Sequence, residues 1–238
     1  NQGLAVSTHG KGNHMKNNTI VKVLAVVAIL GTATGAAAQA KGDWTVKVGV
    51  NKITPKVESG DVSAPALPGT KADVGPDTKP ILNLAYFVTD NIVAELDLGT
   101  PYRHKLFGAG AIEGTGELGT ADVLPPTLFA QYRFFGPDAV FRPYVGLGVT
   151  YAYFRRERGS AQLTAILNTG GPASTFSLES KWAASAQLGA SVRLSERWSL
   201  DGGVIKTRLR TTATYSTGQT QAMKLDPVAV NLGVTFKF

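Results

Sequence analysis

Beyond residue 40 the chain alternates apolar and polar or small side chains in segment after segment. That period of two is the signature of a strand with two different faces. Val46, Val48 and Val50 alternate with Thr45, Lys47 and Gly49. Leu82, Leu84 and Tyr86 alternate with Asn83 and Ala85. Ile92, Ala94, Leu96 and Leu98 stand against Glu95, Asp97 and Gly99, and Leu128, Ala130, Tyr132 and Phe134 against Thr127, Gln131 and Arg133. Phe141, Val145, Leu147, Val149, Tyr151 and Tyr153 oppose Arg142, Gly146, Gly148, Thr150 and Ala152. Trp182, Ala184, Ala186, Leu188, Val192 and Leu194 oppose Ser185, Gln187, Gly189 and Arg193. A seventh segment runs from Trp198 through Leu200 and Val204. The last sets Val228, Val230, Leu232, Val234, Phe236 and Phe238 against Ala229, Asn231, Gly233, Thr235 and Lys237.

Eight segments of this kind predict eight antiparallel strands. A soluble sandwich also alternates, so the caps and the connections decide. Trp44, Phe141, Trp182, Trp198 and Phe238 sit at segment ends, while the middles of the apolar faces are Val, Leu and Ala. Lipid-facing strands place aromatic rings at both interfaces and exclude charge from mid-depth, where a Lys or Arg costs about 2–4 kcal/mol. Lys52, Lys206 and Arg208 break the parity and are expected near the outer rim, where long side chains snorkel, or beyond a bulge. Tight connections at Thr89-Asp90-Asn91, 136–139 and Ser195-Glu196-Arg197 alternate with long stretches near 58–77, 102–121, 157–175 and 210–225. Short turns on one side and long loops on the other describe an outer-membrane barrel with both termini in the periplasm. The fold class expected is all-β: an eight-stranded antiparallel transmembrane β-barrel occupying residues 41–238.

What precedes residue 41 agrees with export. Met15 and Lys16 lead into an apolar run from Ile20 to Leu30, which fades into small residues and ends in Ala38-Gln39-Ala40. This is the layout of a signal peptide over 15–40, with cleavage after Ala40. A membrane anchor is the alternative, disfavoured by the Ala, Gly and Thr of its second half. Residues 1–14 read as an upstream, artefactual extension. The chain has no cysteine, so no disulfide framework supports it. Because an open sheet edge cannot stand in hydrocarbon, strands that cross a membrane must close on themselves. The pattern Asn231-x-Gly233-x-x-Phe236-x-Phe238 at the chain end resembles the β-signal read by barrel-assembly machinery.

Several spaced motifs resemble the OmpW outer-membrane proteins over most of the chain beyond residue 40. They are Thr89-Asp90-Asn91-Ile92, then Glu95-Leu96 leading to Thr100-Pro101-Tyr102-Arg103-His104-Lys105, then Leu124-Pro125-Pro126-Thr127-Leu128. Phe141-Arg142-Pro143-Tyr144-Val145-Gly146 and Leu225-Asp226-Pro227 follow in the same order. The resemblance implies a monomeric barrel with a narrow, partly apolar interior that passes small hydrophobic molecules and releases them sideways through its wall. It also implies bulky apolar side chains narrowing the channel at the level of Asp97 and Ile205, a pattern from which Asp97 departs.

The inward set contains Lys47, Glu95, Asp97, Arg133, Arg142, Gln187, Arg193, Asp201 and Lys237. Eight strands enclose just enough space for side chains to fill. Buried charges must be paired or hydrated, so Glu95, Asp97 and Asp201 are expected to meet inward Arg or Lys across the lumen. The interior is then closed by charge rather than open, and a solute leaves sideways above the plug. A salt-bridged core with no transport role is equally compatible with these charges. Pro101, Pro125 and Pro126 lack the donor that a ladder needs, and a gap in pairing there is a candidate lateral gate. Leu163, Ile166 and Leu167 suggest a short helix over the mouth.

Catalysis is not expected. His104 is the one histidine beyond residue 40, and its basic neighbours Arg103 and Lys105 suit contact with anionic headgroups better than base chemistry. No metal cluster, cofactor or nucleotide motif is read, so cofactors are expected to be none. The net charge of +7 includes the leader; the basic residues beyond it are spread over loops and rim, which points to lipopolysaccharide phosphates and outer-membrane lipid rather than nucleic acid. Two functions stay open: a channel for small hydrophobic solutes in the outer membrane of a Gram-negative bacterium, or a structural or adhesive barrel whose loops meet lipid, host or phage.

Overall fold

A computed structural model describes residues 39–238. The extension expected at 1–14 and the leader expected at 15–40 lie outside the described residues, except for Gln39 and Ala40.

The elements in chain order are β1 (Trp44–Thr54), β2 (Glu58–Ser59), β3 (Thr70–Val74), β4 (Asp77–Phe87), β5 (Ile92–Gly99), β6 (Tyr102–Gly110), β7 (Glu117–Leu124), β8 (Thr127–Arg133), β9 (Phe141–Gly159), α1 (Ala161–Leu167), β10 (Phe176–Leu178), β11 (Lys181–Arg193), β12 (Trp198–Arg208), β13 (Arg210–Tyr215), β14 (Thr220–Lys224) and β15 (Val228–Lys237). Eight of them pair antiparallel in the order β1-β4-β5-β8-β9-β11-β12-β15, and β15 returns to β1. The ladder closes, so each of these eight strands has two neighbours. These eight are the eight segments of apolar alternation.

The alternation decides which way each strand faces. Along β9, Val145, Leu147 and Val149 are exposed on the outside, and Leu147 is 73% exposed. Their neighbours Arg142, Tyr144 and Thr150 are buried inside. Aromatic rings pair on the outer face near both ends, Trp44 with Tyr86, Trp198 with Phe236 and Tyr151 with Trp182. Lys52, Lys206 and Arg208 also point outward, toward the outer ends of their strands, and no bulge displaces them.

The stretches expected as long loops are largely strands. Strand β6 continues β5 after Pro101, and β7 leads into β8 across Pro125-Pro126; together with β3 and the last third of β9 they extend the wall outward. On the other side β10, β13, β14 and β2 form a second sheet. Here the parity is reversed. In β6, Tyr102, His104 and Leu106 are buried inside while Arg103, Lys105 and Phe107 are exposed. Water, not lipid, surrounds this part, so charge belongs outside and the apolar cluster inside. That cluster includes Leu106, Val123, Phe154, Phe176, Tyr215 and Met223. Helix α1 begins at Ser160, whose hydroxyl accepts from the Leu163 N–H at 3.2 Å as an N-cap should. Leu163 is buried beneath it.

Candidate functional site

Inside the barrel, short polar and long charged side chains share the lower half. Lys47 on β1 places Nζ 2.9 Å from Asp201 Oδ1 on β12. The Tyr144 hydroxyl donates to the same oxygen at 3.0 Å, and Arg133 Nη2 lies 3.8 Å from Asp201 Oδ2. The Arg133 guanidinium lies over two rings, 4.9 Å from the Tyr144 centroid and 5.4 Å from that of Phe87. All these side chains are buried. Room for Tyr144 comes from Gly189 on the neighbouring strand, where a Cβ would overlap the Tyr144 ring.

Glu95 and Asp97 depart from the expectation of cationic partners. Gln131 Nε2 donates to Glu95 Oε1 at 2.7 Å, and Gln187 Nε2 donates to it at 3.3 Å. Lys47 is bonded to Asp201 and Arg133 donates to Gln131 Oε1, so the two glutamines, projecting from β8 and β11, are what reaches Glu95. Asp97 follows Glu95 by two positions on the same inward face of β5, and its Oδ1 is buried without a protein partner. Arg142 sits lower, donating to the backbone carbonyls of Gln39 and Asp90. Arg193 reaches the Asp138 carbonyl at the turn end, and Lys237 faces Asp43 there at 3.6 Å. Gln131 joins the predicted inward residues into one network: Arg133, which faces Asp201 beside Lys47, also donates to Gln131 Oε1 at 3.2 Å, and Gln131 Nε2 bonds Glu95 and Gln187, while Arg142 closes the turn end.

Above this plug lies a cavity of about 110 Å³. Ile53, Ile81, Ile205, Leu209, Leu225 and Phe154 are among its apolar walls, and Ile205 stands well above the ion pairs. A belt of hydroxyls crosses one side of it. Thr127 bonds Thr150 at 2.8 Å, Thr150 bonds Ser185 at 2.6 Å, and Ser185 bonds Thr207 at 2.8 Å. Alternation alone predicts neither this belt nor Tyr144 and Gln131 as partners, although each lies on the inward parity of its strand.

The cavity meets the wall at the prolines. Pairing of β5 with β8 ends at Asp97 with Thr127, and pairing of β6 with β7 begins at Tyr102 with Val123. Between them, residues 98–101 and 124–126 share no ladder pairs. Pro101, Pro125 and Pro126 occupy this interval, where a residue without an N–H loses nothing. Leu98, which faces outward and is 40% exposed, nevertheless lines the cavity.

The chain-end motif also has duties inside the barrel. Asn231 is buried and accepts from Lys47 Nζ at 3.4 Å. A Cβ on Gly233 would collide with the Val48 carbonyl and press on the Lys47 stem, so glycine lets that side chain cross. Phe236 packs on Trp198 at 4.8 Å between centroids, and Phe238 is exposed.

In the part above the membrane, His104 donates through its Nδ1–H to the Gly75 carbonyl oxygen, 2.7 Å away. Burial pushes its pKa below the ordinary 6.5, opposed by that carbonyl. Arg103 holds Asp122 with Nε 2.8 Å from Oδ1, and the hydrogen bond keeps the carboxyl below its usual range. Among the described residues no group of three or more His, Asp or Glu side chains could hold a metal ion.

A closed eight-stranded barrel with an apolar outer belt defines a transmembrane barrel of the bacterial outer membrane. Residues 40–238 match the family model described as the OmpW family. Outer membrane protein W of Vibrio cholerae is 33% identical over 221 residues, spanning 90% of this chain and 97% of that protein. Outer membrane protein AlkL of Ectopseudomonas oleovorans is 29% identical over 230 residues, spanning 91% and 95%. The crystal structure of OprG from Pseudomonas aeruginosa superposes with a TM-score of 0.76 at 28% identity, covering 84% of this chain and 98% of that one. The solid-state NMR structure of AlkL in lipid bilayers gives a TM-score of 0.61 at 27% identity, covering 87% and 95%. The chain belongs to the OmpW family, and it resides in the outer membrane of a Gram-negative bacterium.

Proposed function

We propose that the barrel is a passive route for small hydrophobic molecules, which enter from the outer end, occupy the apolar cavity and leave through the wall. The observation that carries this reading is the shape of the cavity: apolar at its sides, floored by a buried ion-pair plug, and reaching the outward-facing Leu98 at the unpaired interval between Pro101 and Pro125-Pro126. A solute that cannot cross charged groups at low cost finds lipid at the same level as the break. The family resemblance implies the same route.

No catalytic step is proposed, and each of the eight membrane-crossing strands has a neighbour on both sides, in keeping with a monomer. Lipopolysaccharide phosphates are the proposed partners of outward Arg208 and Arg210, and the barrel-assembly machinery of the chain-end motif through Asn231, Gly233, Phe236 and Phe238. Uptake of a hydrophobic dye into liposomes with and without the folded protein tests the route. Faster uptake with the protein is expected; equal rates would leave a structural or adhesive role as the better reading.

A further inference from the structure

The cavity floor is polar in a particular arrangement. Asn51 and Asn231 face each other across the β1–β15 ladder, and Asp97 stands two strands from β1, in register with Asn83 of β4 and Lys47 of β1, and borders the same cavity. All three line the cavity, and both asparagines are more than nine-tenths buried. The two amides are held from behind. Asn51 Nδ2 donates to the Tyr102 hydroxyl at 2.9 Å, and Asn231 Oδ1 accepts from Lys47 Nζ at 3.4 Å.

Those bonds decide which atoms are left over. Asn51 Oδ1, Asp97 Oδ1 and Asn231 Nδ2 are buried and have no protein partner. Buried polar atoms without partners are costly, and three of them bordering one cavity point to a ligand that satisfies them. The set is two acceptors and one donor. A hydroxyl group offers one O–H and a lone pair, so it can donate to a carboxylate or amide oxygen and accept from an amide N–H at once. An ammonium has no lone pair for Asn231 Nδ2. A carboxylate would face Asp97 and Glu95, and an alkane satisfies none of the three.

We propose that Asn51, Asp97 and Asn231 form a subsite for the hydroxyl of a short-chain aliphatic alcohol, with its hydrocarbon tail lying up the cavity between Ile53, Ile81 and Ile205. The O–H donates to Asp97 Oδ1 or Asn51 Oδ1, and the oxygen accepts from Asn231 Nδ2. The subsite deepens the hydrophobic-uptake reading and rests on it: the preferred solute is amphipathic rather than purely apolar, and its head is held just above the plug.

Binding, not uptake, tests the subsite separately from the route. Full chain in nanodiscs is titrated with 1-hexanol, n-hexane and hexanoate, following ligand saturation transfer and the side-chain amide resonances of Asn51 and Asn231. After correction for partition into lipid, 1-hexanol is expected to bind ~10-fold more tightly than n-hexane, the equivalent of about 1.4 kcal/mol, and to shift the Asn231 amide. Hexanoate is expected to be the weakest. Asp97→Leu should bring the alcohol down to the alkane's affinity, while Asp97→Asn, which keeps an acceptor and the side-chain size, should retain most of the preference. Equal binding of alcohol and alkane to the unaltered protein overturns the subsite and leaves the route standing. Absence of binding by both overturns the two together. An alcohol preference that survives in a folded Asp97→Leu, Asn231→Leu protein, or hydration of the floor by water alone, also overturns it.

Discussion

Lys47 Nζ lies 2.9 Å from Asp201 Oδ1 in the middle of the barrel, across 154 positions of sequence. Neither side chain is reached by solvent. A buried pair is weak evidence for net stability, because desolvation offsets much of its attraction, but removing one member strands the other. Lys47→Met is expected to destabilise the barrel by about 3–5 kcal/mol, with Asp201 left to Tyr144 and Arg133. The double change Lys47→Met, Asp201→Leu should recover most of the loss. Urea unfolding in lipid vesicles measures both, and a double mutant no better than the single would contradict the pairing.

Leu147 tests the assignment of the outward face to lipid. It sits near the middle of the membrane-crossing part of β9 with its side chain out. Leu147→Arg is expected to cost about 2–4 kcal/mol in unfolding from a bilayer, whereas a soluble barrel surface would accept the same change within about 0.5 kcal/mol. Lys52→Leu at the outer end should be close to neutral in the same assay.

His104 makes the outer part of the wall sensitive to acid. Its folded pKa is depressed by burial, so the unfolded state binds the proton more tightly and stability rises with pH across the interval. The contribution is present above the ordinary value of 6.5 and declines as pH falls through the lower folded value, with Asp77 opposing and Lys79 reinforcing the shift. Amide hydrogen exchange of Leu106 and Ala121 should therefore quicken below about pH 6 relative to exchange in β9. His104→Gln should flatten this dependence; an unchanged profile would mean that another group carries it.

How far these features were legible depends on what surrounds each strand. Lipid on one side and a polar lumen on the other produce plain alternation, so the eight strands from β1 to β15 that cross the membrane could be read from Val46, Leu147 or Leu232 and their neighbours. Strands β6, β7, β13 and β14 also alternate, but with apolar side chains inward, and they fall in the stretches expected as long connections. Inward charge was legible by parity alone at Lys47, Glu95 and Asp201. Partnership was not, because the stagger of a closed barrel decides which inward residues share a level. That is why Glu95 was expected to meet a cation and instead meets Gln131 and Gln187, and why Asn231 was read only as part of an assembly motif. The prolines were legible as punctuation, yet only the register shows that Pro101 and Pro125-Pro126 border the same unpaired interval.

That interval permits a sharp test. If the missing donors keep the wall open beside Leu98, giving them back should close it. Pro125→Val with Pro126→Val restores two N–H groups and two β-formers opposite residues 98–101. The carbonyl of Pro126 already accepts from the Tyr151 N–H at 3.0 Å, so the strand is anchored on its β9 side and has little reason to move away. The double variant should fold, bind a hydrophobic solute in the cavity as before, and take it up several-fold more slowly into liposomes. Adding Pro101→Val should slow uptake further. Slower uptake with unchanged binding places the obstruction after the cavity, at the wall, rather than at the mouth. Unchanged uptake by a correctly folded double variant would count against the wall as the exit and in favour of a path through the plug, where Lys47→Met would then be the change that alters the rate.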